Sequence, residues 1–92
     1  MKIELRYTAQ LAMEAGGASE TLEVEEGASI DTLIRHLAES RGGKFAKLLL
    51  NDQGNPHPTI MRIVNGEQVD RAHAPRLQDG DELMLMSPIA GG

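Results

Sequence analysis

Gln78-Asp79-Gly80-Asp81-Glu82-Leu83-Met84-Leu85-Met86-Ser87-Pro88 decides the fold. Asp79-Gly80-Asp81 has turn chemistry, because aspartate side chains hydrogen-bond nearby backbone and glycine accepts backbone angles that a Cβ opposes. Leu83 to Met86 is the longest uninterrupted apolar run in the chain. Pro88 ends the strand, having no N–H to give a ladder. A strand apolar at successive positions belongs in the interior of a sheet, where both faces meet other groups. Leu83 and Leu85 then point one way, Met84 and Met86 the other. If a helix covers only the leucine face, Met84 and Met86 form an adaptable partner-docking surface; if loops cover the second face, they are packing residues.

The other end of the chain supplies this strand's neighbour. Ile3, Leu5 and Tyr7 alternate with Lys2, Glu4 and Arg6, the period of a strand with one dry face. Ala9 to Ala15 favours a short helix or turn, stopped by Gly16-Gly17. Leu22 and Val24 alternate with Thr21, Glu23 and Glu25, predicting a second strand that ends at Glu26-Gly27 and pairs antiparallel with the first.

Ser29 to Arg41 predicts the main helix: Ile30, Leu33, Ile34, Leu37 and Ala38 fall at helical spacing, Ser29 is a fitting N-cap, Asp31 suits the positive end of the dipole, and Gly42-Gly43 supply the stop. Phe45, Leu48, Leu49 and Leu50 fit either a helix or a strand. Asn51 to Pro58 reads as a surface loop. Thr59 to Val64, then Asn65-Gly66, then Glu67-Gln68-Val69 reads as a hairpin.

Strand, strand, long helix, strand, short strand, strand is the order of an α+β domain, a β-grasp, with a mixed sheet packed on one main helix. The first and last strands become central neighbours. Residues 1–87 form the domain and residues 88–92 a flexible C-terminal Gly-Gly tail.

Ninety-two residues suffice for one core and exclude a multidomain enzyme. Nine Lys and Arg against fourteen Asp and Glu, net −5, disfavour a grip on phosphate backbones, and Tyr7 and Phe45 are the only aromatics, so no base-stacking platform is expected. Without cysteine the fold has no disulfide and no thiolate chemistry. Neither a membrane span nor a secretory leader is legible, so the expected location is the cytoplasm.

No nucleophile elbow, phosphate loop or paired-histidine motif occurs, and an autonomous enzyme is not expected. His36, His57 and His73 are too dispersed in sequence to predict a shared metal site. Asp79, Asp81 and Glu82 offer too few oxygens for calcium and read as a strand-joining turn. The unexplained feature is the tail Pro88-Ile89-Ala90-Gly91-Gly92. Two glycines make it slim enough to thread a narrow channel and present its carboxylate elsewhere. Simple fraying is the alternative.

Leu77-Gln78-Asp79-Gly80-Asp81-Glu82-Leu83 followed by Ser87-Pro88-Ile89-Ala90-Gly91-Gly92 resembles the ubiquitin-like sulfur-carrier family, which includes the small subunit of molybdopterin synthase and the thiamine sulfur carrier. The likeness runs loosely over the whole chain and is specific in its ending. It implies a non-catalytic carrier whose Gly92 carboxylate is adenylated by an E1-like partner and converted to a thiocarboxylate. Gly91, Ala90, Ile89 and Pro88 would thread the partner's channel.

The resemblance also implies a sulfur-accepting enzyme or synthase large subunit as second partner, no cofactor on the carrier itself, ATP used by the activating partner, and a monomer when free. Ser87 stands where a second proline is frequent in the molybdopterin branch, and the Asn51 to Pro58 loop is longer. Molybdopterin and cysteine or methionine pathways therefore both remain open. Two rival functions share the expected fold: a protein modifier joined to lysines through Gly92, and a non-covalent β-grasp binding module with an inert tail.

Overall fold

The computed structural model describes residues 1–70 and 72–87. Among them the chain forms β1 (Lys2–Tyr7), α1 (Ala9–Ala15), β2 (Ser19–Glu23), α2 (Ile30–Arg41), α3 (Gly43–Leu49), β3 (Met61–Val64), β4 (Glu67–Val69) and β5 (Glu82–Met86). The sheet order is β2-β1-β5-β3-β4. β1 runs parallel to β5, and β2, β3 and β4 pair antiparallel with their neighbours. The chain's first and last strands are thus adjacent and the sheet is mixed, the β-grasp arrangement expected from the element order.

One face of the sheet is dry. Ile3 and Leu5 of β1, and Leu83 and Leu85 of β5, are fully buried and meet Leu33, Ile34 and Leu37 of α2 in one core. Burial of each such side chain is worth about 1.5–3 kcal/mol, which makes this layer the main source of stability in a chain without cross-links. α2 begins where Ser29 accepts a hydrogen bond from the Thr32 N–H at 3.1 Å, satisfying a donor that the helix leaves open. Asp31 lies in its first turn and Arg41 in its last, each matched to the dipole.

The undecided stretch around Phe45 is helical. Gly42 at φ 62° closes α2 and opens α3, a left-handed angle that glycine adopts without strain, and the turn puts Phe45 and Leu49 into the core. The single main helix therefore has two short companions. The Phe45 ring meets Tyr7 edge to face at 5.5 Å and lies under the Arg41 guanidinium at 5.4 Å.

β2 starts earlier than the alternation of Leu22 and Val24 predicted and stops at Glu23. Val24 still exchanges hydrogen bonds with Met1, its N–H donating to the Met1 carbonyl at 2.9 Å. Asn65 and Gly66 turn the hairpin with φ of 50° and 88°, the left-handed pair that matches strand twist. Asn65 also tethers this turn to β5: its Nδ2 donates to Asp81 at 3.0 Å, and its Oδ1 accepts the Glu82 N–H at 2.9 Å. The Asp-Gly-Asp turn is locked likewise, Asp79 accepting from the Lys2 N–H and Asp81 from the Gln78 N–H.

The Asn51 to Pro58 segment is a loop, but not wholly a surface one. Pro56 is fully buried and Leu50 bridges to Pro56. Asn51 Oδ1 accepts from the backbone N–H groups of Gln53 and Asn55, both at 3.0 Å, so the loop carries its own scaffold.

Candidate functional site

The face of the sheet opposite the helices holds the methionines. Along β5 burial alternates: Leu83 and Leu85 are fully buried, Met84 and Met86 half-buried. The register sets Ile63 beside Met84 and Met61 beside Met86, both on the same side, and Arg6 next to Met84 across the β1 ladder. Ile63 is half-buried and Met61 is exposed. Four apolar side chains thus form one patch on β3 and β5. Arg6 and Glu82, paired at 3.1 Å, border it with charge.

This arrangement is suited to binding. Unbranched thioethers adapt to an irregular partner surface, and the charged border supplies orientation. Met84 and Met86 lie where the open-face reading requires. Met61 and Ile63 were missed as site residues. Their signal was present as alternation in Met61-Arg62-Ile63-Val64, but it is inverted, since the charged residue points inward.

Arg62 is buried under the start of α2, where its Nη2 donates to Asp31 Oδ1 at 2.9 Å. That ion pair ties the strand behind the patch to the main helix. Pro88, Ile89, Ala90, Gly91 and Gly92 lie outside the described residues. β5 delivers the chain to them beside Met86, at the end of the sheet where Met61 begins β3.

A second polar arrangement closes the far side of the core. The Tyr7 hydroxyl donates to Glu20 at 2.7 Å, and Arg41 pairs with the same carboxylate. Burial pushes the Tyr7 phenol well above its ordinary value, and the Glu20 carboxylate, which accepts its proton's hydrogen bond and repels a phenolate, raises it further. On the exposed loop after β4, His73 hydrogen-bonds Asp70 and lowers its carboxyl. Among the described residues no three His, Asp or Glu side chains converge as a metal site, and no helix is long and apolar enough to cross a membrane.

The chain's likeness to known proteins agrees with this geometry. The sequence pattern of the ThiS family matches residues 5–92. Small archaeal modifier protein 3 of Haloferax volcanii is 29% identical over 94 residues, covering all of both chains. The crystal structure of SAMP1 from Haloferax volcanii superposes with a TM-score of 0.80 at 26% identity, again over all of both chains. The Pyrococcus furiosus protein assigned as subunit 1 of a molybdopterin converting factor gives 0.74 at 26% identity, over 97% of this chain and 99% of its own.

Proposed function

The chain belongs to the ThiS family, whose members are small ubiquitin-like modifiers and sulfur carriers and not catalytic enzymes, and from that premise we propose that it carries sulfur on Gly92. The observation that supports this most directly is a family match that includes the Gly91-Gly92 pair. A carboxylate is a poor electrophile. Attack of the Gly92 carboxylate on the α-phosphorus of ATP, on an E1-like enzyme, releases pyrophosphate and leaves an acyl adenylate. Hydrosulfide then adds to the Gly92 carbonyl carbon, AMP departs with the electrons of the broken C–O bond, and the added sulfur loses its proton. The product is a thiocarboxylate, whose soft sulfur a biosynthetic enzyme of the molybdopterin or cysteine and methionine type can use.

In this scheme Pro88, Ile89, Ala90 and Gly91 thread the partner's channel. The patch of Met61, Ile63, Met84 and Met86 docks the activating enzyme, because it adjoins the strand that leads into the tail. Met86→Asp places a carboxylate in that contact, where a desolvated unpaired charge costs several kcal/mol, and is expected to weaken docking at least tenfold. Unchanged binding by the folded variant removes the patch from the scheme.

Capture of the same adenylate by a lysine amine is the second reading, favoured by the likeness to an archaeal modifier protein. Intact-mass measurement of the protein from its own host separates the two. Sulfur in place of one oxygen at Gly92 is the result expected of the carrier, and lysine-linked adducts are that of the modifier. Deleting Gly91-Gly92 is expected to abolish adenylation while leaving unfolding unchanged; activation of the truncated chain would overturn the assignment of the chemistry to Gly92.

A further inference from the structure

The methionines are not distributed like the other apolar residues. Among the described residues the buried apolar core is built from Ile, Leu, Val, Ala, Tyr and Phe and contains no methionine. Of the five methionines in the chain, Met61, Met84 and Met86 stand together on the open face of β3 and β5. Met13 is alone on α1 and 78% exposed, and half-buried Met1 packs against the core. The interior is thus hydrocarbon and aromatic, and the thioethers lie outside it.

A thioether packs like a hydrocarbon but differs from one in its chemistry, because its sulfur lone pair attacks the O–O bond of a peroxide. The sulfur bonds to one oxygen as the O–O bond breaks, and the leaving hydroxide takes the proton from the new S–OH group and departs as water. The thioether is oxidised by two electrons to a sulfoxide, and the peroxide is reduced. The chain has no cysteine thiol to react first. Exposure ranks the patch. Met61 is 40% exposed at the start of β3, whereas Met84 and Met86 are half-buried on the central strand, Met84 with Arg6 and Ile63 as its register neighbours and Met86 with Met61. Peroxide and water therefore reach the Met61 sulfur before the other two.

We infer that Met61 is an oxidation site for hydrogen peroxide, and that its sulfoxide closes the methionine patch to the proposed activating enzyme while leaving the fold intact. The sulfoxide oxygen is a strong hydrogen-bond acceptor, and an apolar contact that excludes water leaves it without a donor. Docking is the property that suffers. The fold is spared, because Met61 is exposed and no methionine of the patch joins the core. The effect on docking rests on the role given to the patch under the proposed function, whereas the order of oxidation depends on the free chain alone.

The test treats the whole chain with hydrogen peroxide, removes the peroxide, locates the sulfoxides by peptide mass spectrometry and then measures binding to the host's E1-like enzyme. Met13 and Met61 are expected to oxidise before Met84 and Met86, with the unfolding midpoint unchanged and binding about tenfold weaker. Met61→Leu keeps an apolar side chain without the sulfur and is expected to bind alike before and after peroxide, whereas Met13→Leu should lose as much as the wild type. Methionine sulfoxide reductase is expected to restore binding. Oxidation of Met84 or Met86 ahead of Met61, undiminished binding of the Met61 sulfoxide, equal loss in oxidised Met61→Leu, or a loss that persists after reduction would each overturn it. Met86→Asp separates two failures: if that variant binds weakly and the sulfoxide does not, only the oxidation inference falls, and if neither is weakened, the docking role of the patch falls with it.

Discussion

β5 has two faces that differ in what they can lose. Leu83 and Leu85 have no exposure and touch the main helix through a shared core, while Met84 and Met86, one residue away, retain contact with solvent. The backbone is common to both, so the difference lies in what covers them. A side chain surrounded on all sides leaves a cavity when cut back; one on an open face leaves water. The covered face thus holds the fold together and the open face is available to a partner.

The largest effect expected on that comparison is Leu85→Ala, a loss of about 3 kcal/mol from removed burial plus the cavity left under α2. Denaturant unfolding checks it through the midpoint at constant slope. A loss below about 1 kcal/mol would mean that the core collapses freely and that the two faces are less distinct than their exposure indicates.

The contrast between faces was largely legible in the sequence, because β1 and α2 carry an apolar period and β5 is an uninterrupted apolar run that a proline ends. α3 was not: Leu48, Leu49 and Leu50 are consecutive, so no period distinguishes helix from strand, and only packing selects Phe45 and Leu49 for the core. β3 misleads for another reason. Arg62 occupies the inward position and Met61 and Ile63 the outward ones, so hydrophobic alternation assigns its faces in reverse. The Asp31 carboxylate makes that inversion tolerable, and its identity as partner depends on a contact 31 positions away that no local pattern encodes. The patch was therefore half visible, through Met84 and Met86 alone. The proposed Gly92 chemistry was legible only as a terminal motif, since its partners are other proteins.

The covered face also has a polar margin, and Tyr7→Phe sharpens the comparison there. Losing the hydrogen bond to Glu20 is expected to cost about 1.5 kcal/mol at neutral pH. The Tyr7 phenol is raised above its ordinary value of 10.0, so its stabilisation is complete below that pH. Above it the unfolded chain ionises while the folded one does not, and stability drains as pH rises. Unfolding from pH 8 to 11 should show the wild type losing stability above 10 and Tyr7→Phe losing less. Parallel profiles would detach the phenol from the fold.

On the open face the expected stability changes are small. Met86→Asp should cost less than about 1 kcal/mol, because its side chain is only half removed from water. Met84→Asp is the less informative substitution, since the register places Arg6 beside it and the new carboxylate gains a partner.

Arg6→Gln is the smallest and the most discriminating. The Arg6–Glu82 pair spans 3.1 Å, but the two side chains are 56% and 39% exposed, so solvent and salt screen the attraction and holding two long side chains together costs entropy. Its removal should change the unfolding free energy by no more than about 0.5 kcal/mol, and less in high salt. If docking of the proposed activating enzyme weakens in that variant while the unfolding midpoint stays put, the border orients a partner without supporting the fold. A stability loss comparable to that of Leu85→Ala would instead mean that charge on the open face holds the central strands together, and the division of labour between the two faces of β5 would fail.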